Sequence, residues 1–343
     1  MLPAAHAAAS PAIMKPVLVT GATGFLGKHL VEQLRRTDPS VSLRVFCRGP
    51  SPWNGDPAVE VIRGDITSPE DVDRAVAGAG RIYHLAGIVS RNPRDASKLY
   101  RLHIEGARNL CTAALRHGTE KIVLVSSSGT IAVSREPVVH DEQSGYKNDI
   151  VAEWPYYLAK IFEEKLALSW VRLHGLPIVV VNPSLLLGPG DDRNSSTGDV
   201  RLFLEGQILA IPLGGLNFVD VRDAAAGLIA AMRAGRPGER YLLGGPNWTF
   251  REMITAVSEI AGIRAPKRQL SLRASLRGAA VLRRLYPLLG RKYGLDEASI
   301  KMSALFWYCT PEKARRQLGF QTRDPKETLR ETVEDIRRRS ARA

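Results

Sequence analysis

Tyr156 and Lys160 stand four residues apart in Tyr156 to Leu173, a stretch of helical composition closed by Gly175 and Pro177. On a helix that spacing puts both side chains on one face. The pair can do acid–base work that tyrosine alone does poorly, because a free phenol has a pKa of about 10. A nearby ammonium stabilises the phenolate and lowers that value. A phenol tuned in this way can hand its proton to a developing alkoxide. Tyr157 is three residues from Lys160 and is set aside as the partner. Upstream, Ser126-Ser127-Ser128 follows the apolar run Ile122 to Val125. A hydroxyl at this point can hydrogen-bond a substrate oxygen beside Tyr156, and Ser128, Ser127 and Thr130 are the candidates.

Taken singly these signals are weak, since Tyr-x-x-x-Lys occurs by chance and serines after strands are usually turn residues. Their order behind a glycine loop gives them weight. Thr20-Gly21-Ala22-Thr23-Gly24-Phe25-Leu26-Gly27 follows Val17-Leu18-Val19 directly, and Leu26, Leu30 and Leu34 then recur every four residues. Gly21 permits a tight turn, Gly24 lets backbone approach a pyrophosphate, and Gly27 lets the helix pack close to a sheet. The helix N-terminus offers free N–H groups and a positive dipole end. Gly21, Thr23, Gly24, Phe25, Leu26 and Gly27 are therefore the expected phosphate-side contacts of a dinucleotide.

These residues need strand ends and helix starts to hold them. The first 180 residues supply both, with short Val/Ile/Leu runs at Val17–Val19, Leu43–Cys47, Val59–Ile62, Ile82–Leu85, Ile122–Val125 and Ile178–Val181. Such runs fit parallel strands buried on both faces. Helical stretches lie between them, one starting at Ser68-Pro69-Glu70-Asp71 with a capping serine, an early proline and first-turn acids. The alternation predicts an α/β fold, a Rossmann-type doubly wound parallel sheet with a smaller, mostly helical C-terminal substrate-binding region. The expected layout is a loose tail at 1–14, an NADP-binding domain at 15–184 and 215–250, a substrate-binding region at 185–214 and 251–330, and a basic tail at 331–343. Asp223 is expected to cap the helix that starts near it, and His84 to be a satisfied core histidine.

The spacing Gly-x-x-Gly-x-x-Gly resembles the extended branch of the short-chain dehydrogenase/reductase superfamily, the NAD-dependent epimerase/dehydratase family. Further residues carry the resemblance: Gly64-Asp65-Ile66, His84-Leu85-Ala86-Gly87, the serine run, Tyr156-x-x-x-Lys160, Asn182-Pro183-Ser184, Gly188-Pro189-Gly190-Asp191, Phe218 to Asp223, Gly244-Gly245 and Thr310 to Phe320. Within the branch the chain is similar to dihydroflavonol-reductase-like and 3β-hydroxysteroid-dehydrogenase-like proteins, and to sugar epimerases associated with hopanoid synthesis. The resemblance implies hydride transfer with a nicotinamide cofactor, and it favours Ser128 as the substrate-binding serine. It gives Lys160 a second role on the ribose hydroxyls, beside Tyr156. It adds Asp65, Ile66, Leu85, Ala86, Gly87, Pro183 and Ser184 to the cofactor contacts. A homodimer through Ser97–Arg116 and Tyr156–Leu173 is a further family-based expectation. One departure is His103, where relatives usually carry Asn, so the side chain for an Asn-mediated water relay is missing.

Two stretches sharpen the expectation. After the second strand an NAD enzyme usually offers a carboxylate to the ribose 2′-hydroxyl. Here the run is Val45-Phe46-Cys47-Arg48, and the guanidinium of Arg48 suits a 2′-phosphate, so NADP(H) is expected over NAD(H). The segment Leu270 to Leu285 repeats Leu and Arg at helical spacing and leads on to Ala304-Leu305-Phe306-Trp307-Tyr308. It reads as the roof of a pocket for a bulky, mostly apolar small-molecule substrate, with arginines turned to an acidic substrate tail or an anionic membrane surface.

Composition bounds the rest. The net charge is +13, and Arg251 to Ala343, with 21 Lys+Arg against 10 Asp+Glu, accounts for +11 of it. No nucleic-acid motif accompanies this charge, and a solvated surface is its plainest reading. Cys47, Cys111 and Cys309 are odd in number and widely spaced, which argues against a disulfide framework or a metal site and fits a cytoplasmic setting. No apolar run approaches the roughly 20 residues that span a bilayer. The leading expectation is a ketone reductase or secondary-alcohol dehydrogenase. The alternatives are a sugar epimerase or dehydratase and a non-catalytic NADP(H) sensor.

Overall fold

A computed structural model describes residues 15–341 apart from 291 and 292, so the expected tail at 1–14 lies outside the described residues. In chain order the elements are β1 (Val17–Thr20), α1 (Phe25–Thr37), β2 (Leu43–Cys47), β3 (Val59–Arg63), α2 (Pro69–Val76), β4 (Arg81–His84) and α3 (Ala96–Tyr100). A π-helical turn, Arg101–Glu105, runs from α3 into α4 (Gly106–Arg116). There follow β5 (Lys121–Val125), α5 (Asn148–Val151), α6 (Pro155–His174), β6 (Ile178–Pro183), β7 (Leu185–Leu187), α7 (Gly198–Leu204), β8 (Gly215–Asp220), α8 (Val221–Ala234) and β9 (Arg240–Leu243). The chain closes with β10 (Asn247–Thr249), α9 (Phe250–Ala261), α10 (Leu272–Leu285), α11 (Glu297–Met302), β11 (Phe306–Trp307), α12 (Glu312–Leu318) and α13 (Pro325–Ser340).

Seven strands form one parallel sheet in the order β3-β2-β1-β4-β5-β6-β9. Successive residues of a strand point to opposite faces, and the sheet divides its side chains accordingly. Val17, Val19, Val123, Val179 and Val181 face one core with α1 and α8, while Leu18, Ile82, Ile122, Leu124 and Val180 face another with α2, α4 and α6. Both faces are covered, which is why these strands read as continuous apolar runs. The helix signals hold: Ser68 caps α2 through the Asp71 N–H, and Gly175 and Gly319 end α6 and α12 in the left-handed conformation. Asp223, however, is not the cap of α8. Asp220 fills that place, and Asp223 accepts the guanidinium and the backbone N–H of Arg323.

The expected domain boundaries need three corrections. The strands β8 and β10 belong not to the large sheet but to a second one with β7 and β11, so within 215–250 it is α8 and β9 that complete the large unit. From 251–330, α12 returns to the large unit, where Ala314 and Leu318, followed by Phe320, pack with α8 and β9. Residues 331–340, expected as a basic tail, are the second half of α13. Arg330, Arg337 and Arg338 are exposed, while Leu329, Val333 and Ile336 fill the smaller core with Met253, Ile254 and Val257 of α9. Charge density hid an apolar stripe at helical spacing.

A loose tail and a packed helix respond oppositely to truncation. Leu329→Ala, at a fully buried position, should lower stability by about 2–5 kcal/mol. Removing 331–343 should lower the urea midpoint as well. An unchanged midpoint after truncation would return this segment to the status of a tail.

Candidate active site

The carboxyl ends of β1, β4, β5 and β6 meet where α1 and α6 begin, the place where open parallel sheets bind ligands. Thr20 joins two of these ends. Its hydroxyl accepts the Ala86 N–H at 3.2 Å and lies 2.8 Å from Nδ1 of His84. Gly21 takes φ +69°, and a Cβ there would fall 2.6 Å from the Leu85 carbonyl, so glycine is required twice over. A Cβ on Gly27 would strike the Gly21 carbonyl oxygen at 2.3 Å. Gly24 caps α1 with no side-chain hydrogen bond, and no acidic residue stands in the first turn. The first N–H groups of α1 are thus left for a ligand anion. Leu26 turns its side chain into the core and can offer only its backbone there.

The ribose side is basic. Arg48, past the end of β2, is exposed and has no ion-pair partner among the described residues. The Cys47 thiol beside it is buried and turned to the Gly49 carbonyl. Asp65 accepts from the N–H and hydroxyl of Thr67 through one oxygen, which makes it a turn aspartate with its other oxygen to spare. Burial works against its ionisation, but those two bonds, with Arg48 and Arg101, hold its carboxyl below the ordinary value. Ile66 is buried against Gly106, and Asn109 donates to its carbonyl. Gly87 lies under His103, where a Cβ would meet the ring at 2.5 Å. Pro183 ends β6 and Ser184 follows it, and both are buried.

Tyr156 and Lys160 share the inner face of α6, as their spacing predicts. Of the candidate hydroxyls, that of Ser127 accepts from the Gly129 N–H at 3.3 Å and is the one that acts on the Tyr156 phenol, lowering its pKa. Ser128 opens a single 3-10 turn, and Thr130 is committed to Glu164 at 2.9 Å. Which serine of a run faces the tyrosine depends on how the chain turns off β5, and that turn is set at a distance. Glu164 accepts from Ser126, Thr130 and Asn182 and pairs with Arg240 at 3.0 Å, all at the sheet edge.

Lys160 corrects the sequence-based electrostatics. Its Nζ donates to the Val125 carbonyl at 2.8 Å and lies 2.7 Å from Oε2 of Glu163, with both side chains buried. Burial, then Tyr157 and Glu163, raise the Tyr156 phenol above its ordinary pKa, and only the Ser127 hydrogen bond acts the other way. The charge of Lys160 is paired with Glu163, and the phenol stands above its ordinary value, not below it as the spacing of Tyr156 and Lys160 alone suggests. The sequence reasoning singled out neither Glu163 nor Glu164. Two acids in an otherwise apolar helix face were the available signal.

Beside Tyr156 stands an aromatic wall. Tyr157 lies 5.1 Å from Tyr156 and stacks on Trp307 of β11 at 5.0 Å, and Trp154 lies 6.0 Å from Trp307. Gly129 makes room for it, since a Cβ there would fall 2.3 Å from the Tyr157 ring and 2.9 Å from Trp307. Arg91, which the sequence reading also passed over, holds the wall's outer edge. It donates twice to Asp199 of α7, at 2.7 and 2.8 Å, and once to Ser299 of α11 at 2.8 Å.

Comparison with known proteins agrees with this architecture. Residues 17–244 match the NAD dependent epimerase/dehydratase family. A putative dihydroflavonol 4-reductase of Synechocystis is 33% identical over 92% of each chain. Sterol demethylase protein B of Methylococcus capsulatus is 30% identical over 88% of this chain and 92% of its own. A 3-beta-hydroxysteroid dehydrogenase of Mycolicibacterium neoaurum is 28% identical over 89% and 86%. Among solved structures, gox2253 superposes with a TM-score of 0.79 at 29% identity, covering 95% of this chain and 98% of its own. With a phosphate loop, a seven-stranded parallel sheet and relatives aligned along nearly their whole length, the chain belongs to the NAD dependent epimerase/dehydratase family, the extended branch of the short-chain dehydrogenases/reductases.

Proposed function

We propose that this protein is an NADP(H)-dependent oxidoreductase that interconverts a ketone and a secondary alcohol on a bulky, mostly apolar substrate. The observation that carries the reading is the aromatic wall of Tyr157, Trp307 and Trp154 directly beside Tyr156. Flat, apolar side chains bind flat, apolar ligands, with few polar groups to fix orientation. The names of the sterol and hydroxysteroid relatives point the same way. A sugar epimerase or dehydratase is the second reading, favoured by a dTDP-glucose 4,6-dehydratase of Streptomyces antibioticus that is 33% identical over 67% of this chain.

The glycine loop fits a dinucleotide: Gly21 sits where no Cβ fits, and the N-terminus of α1 has no side-chain cap and no acid of its own. When bound, the nicotinamide supplies the hydride. The chain's own residues then do the acid–base work. Tyr156 gives its Oη proton to the carbonyl oxygen in reduction and becomes a phenolate, and in oxidation it takes the proton back. Ser127, or Ser128 after a shift of the serine turn, donates a hydrogen bond to the same oxygen. Lys160 donates one N–H to the Val125 carbonyl, is ion-paired with Glu163 and keeps donor capacity for the ribose hydroxyls. Gly87, Pro183 and Ser184 line the nicotinamide side, and Asp65 and Ile66 the adenine side.

Two surface features support the remaining expectations. The helix α10 buries Ala279 and leaves Val281 and Leu285 exposed beside Arg277 and Arg284, with Leu288 beyond its end, which favours an anionic lipid surface over an acidic substrate tail for these arginines. Leu115 on α4 and Phe162 and Leu173 on α6 are exposed too, which supports a homodimer through these helices.

Three measurements test the reading. Tyr156→Phe should keep NADP⁺ binding and lose about 10²–10⁴ in turnover, the usual range for a general acid. Turnover at the wild-type rate would remove Tyr156 from the mechanism. Arg48→Ala should weaken NADP⁺ binding about tenfold or more, as loss of a charge-assisted hydrogen bond predicts, with NAD⁺ affinity unchanged. Equal affinity for both cofactors, unaffected by the substitution, would refute the NADP preference. In thermal-shift assays of the NADP⁺-bound protein, sterol-like and aromatic ketones should stabilise the wild type but not Trp307→Ala. Stabilisation by UDP- or dTDP-sugars alone would promote the epimerase.

A further inference from the structure

Behind Lys160 lies a sealed cluster of ionisable groups that the proposed chemistry does not use. Glu163 is fully buried. Its Oε2 lies 2.7 Å from Lys160 Nζ and 3.5 Å from Nδ1 of His103, and its Oε1 lies 3.7 Å from Nε2 of His84. His84 is 1% exposed and His103 0%. The hydrogen bonds around the cluster bear on which nitrogens carry protons. The Thr20 hydroxyl accepts from the Ala86 N–H and has its own proton free to donate to Nδ1 of His84, the tautomer that presents Nε2–H to Glu163. Burial, with Lys160 and His103 close by, lowers the His84 pKa to about 4, so this ring is neutral. His103 differs. Its Nε2 lies 3.1 Å from the Ile88 carbonyl, which can only accept, so Nε2 carries a proton. A neutral His103 would then turn the bare lone pair of Nδ1 toward a carboxylate. Two acceptors would face each other in a buried site, an arrangement that costs the full desolvation of both.

We propose that His103 is held doubly protonated between the Ile88 carbonyl and Glu163, and that it is a positioning residue returning to the neighbourhood of Tyr156 the positive charge that Glu163 takes from Lys160. The ring lies edge-on to Tyr156 with centroids 5.9 Å apart, close enough for its charge to act on the phenol. The other groups facing the cluster are accounted for: Tyr156 and Lys160 on α6, neutral His84 on β4, and the buried Cys111 thiol on α4, whose pKa burial and Glu163 push up to about 12. Burial alone raises the Glu163 carboxyl, yet Lys160 above all, and then His103, bring it down to about 2, so Glu163 is a carboxylate beside Lys160. The π-helical turn at Arg101–Glu105 serves this arrangement. It has His103 at its centre and sets the ring over Gly87 and against Glu163.

The inference rests on the catalytic reading of Tyr156, but its first test does not need activity. In ¹⁵N-histidine spectra of the whole protein at pH 7.5, the signal lost in His103→Asn should be that of an imidazolium. In Glu163→Gln it should become that of a neutral ring protonated at Nε2. A neutral His103 in the wild type would overturn the proposal whatever the substrate proves to be. The second test is a pH profile. Removing a positive charge raises the pKa of Tyr156, which must be protonated for reduction. In His103→Asn the alkaline limb of ketone reduction should therefore move up by about one pH unit, with KM for the ketone unchanged. An alkaline limb that stays in place would also reject the role assigned here, because a merely structural histidine would change amplitude and not position. Should Glu163→Gln fail to fold, the wild-type spectrum and His103→Asn still decide the matter.

Discussion

Two adjacent buried carboxylates, Glu163 and Glu164, govern this site. They sit side by side on α6 and point to different neighbours. Glu164 gathers Ser126, Thr130, Asn182 and Arg240, and so ties the helix to the ends of β5, β6 and β9. Glu163 gathers Lys160 and two histidines, and so ties the same helix to β4 and to the π-helical turn. An ionised group without partners is costly in a protein interior. Each carboxylate therefore dictates what must surround it, and together they fix the height and rotation of the helix that carries Tyr156.

This constraint makes the electrostatics of the site collective. A lysine four residues from a tyrosine suggests a simple pair, but a third-residue carboxylate turns the lysine's charge inward. What Tyr156 experiences is the sum of an ion pair, a histidine beyond it and the low dielectric of its own burial. The phosphate side is simpler. There glycines leave room and the helix end has no side-chain cap and no acid in its first turn.

The smaller unit contributes shape. Its strand β11 delivers Trp307 onto Tyr157, and its α7 and α11 anchor Arg91, so the surroundings of Tyr156 are assembled from segments 108 to 208 residues apart. That unit has its own core, shared by α9 and α13, and is therefore stable enough to hold an aromatic surface in place.

The sequence by itself determined the parallel sheet, the glycine loop and the Tyr156/Lys160 face, because each is local. A buried strand must be a short apolar run, a phosphate turn must have its glycines at fixed offsets, and a spacing of four on a helix is one face. It also led to the family and to an oxidoreductase chemistry. Tertiary structure decided what depends on partners distant in the chain. The turn after β5 that carries the serine run is tied down by Glu164, which accepts from Ser126 and Thr130. Asp220 caps α8, while Asp223, inside the first turn, is held by Arg323, a hundred residues away. The segment 331–340 is a helix because α9 offers it a groove, although its composition is that of a basic tail. The charge on Lys160 is offset because Glu163, a residue with no motif to mark it, is buried beside it. Local geometry is written in spacing, whereas the pairing of buried charges is settled only when the chain has brought them together.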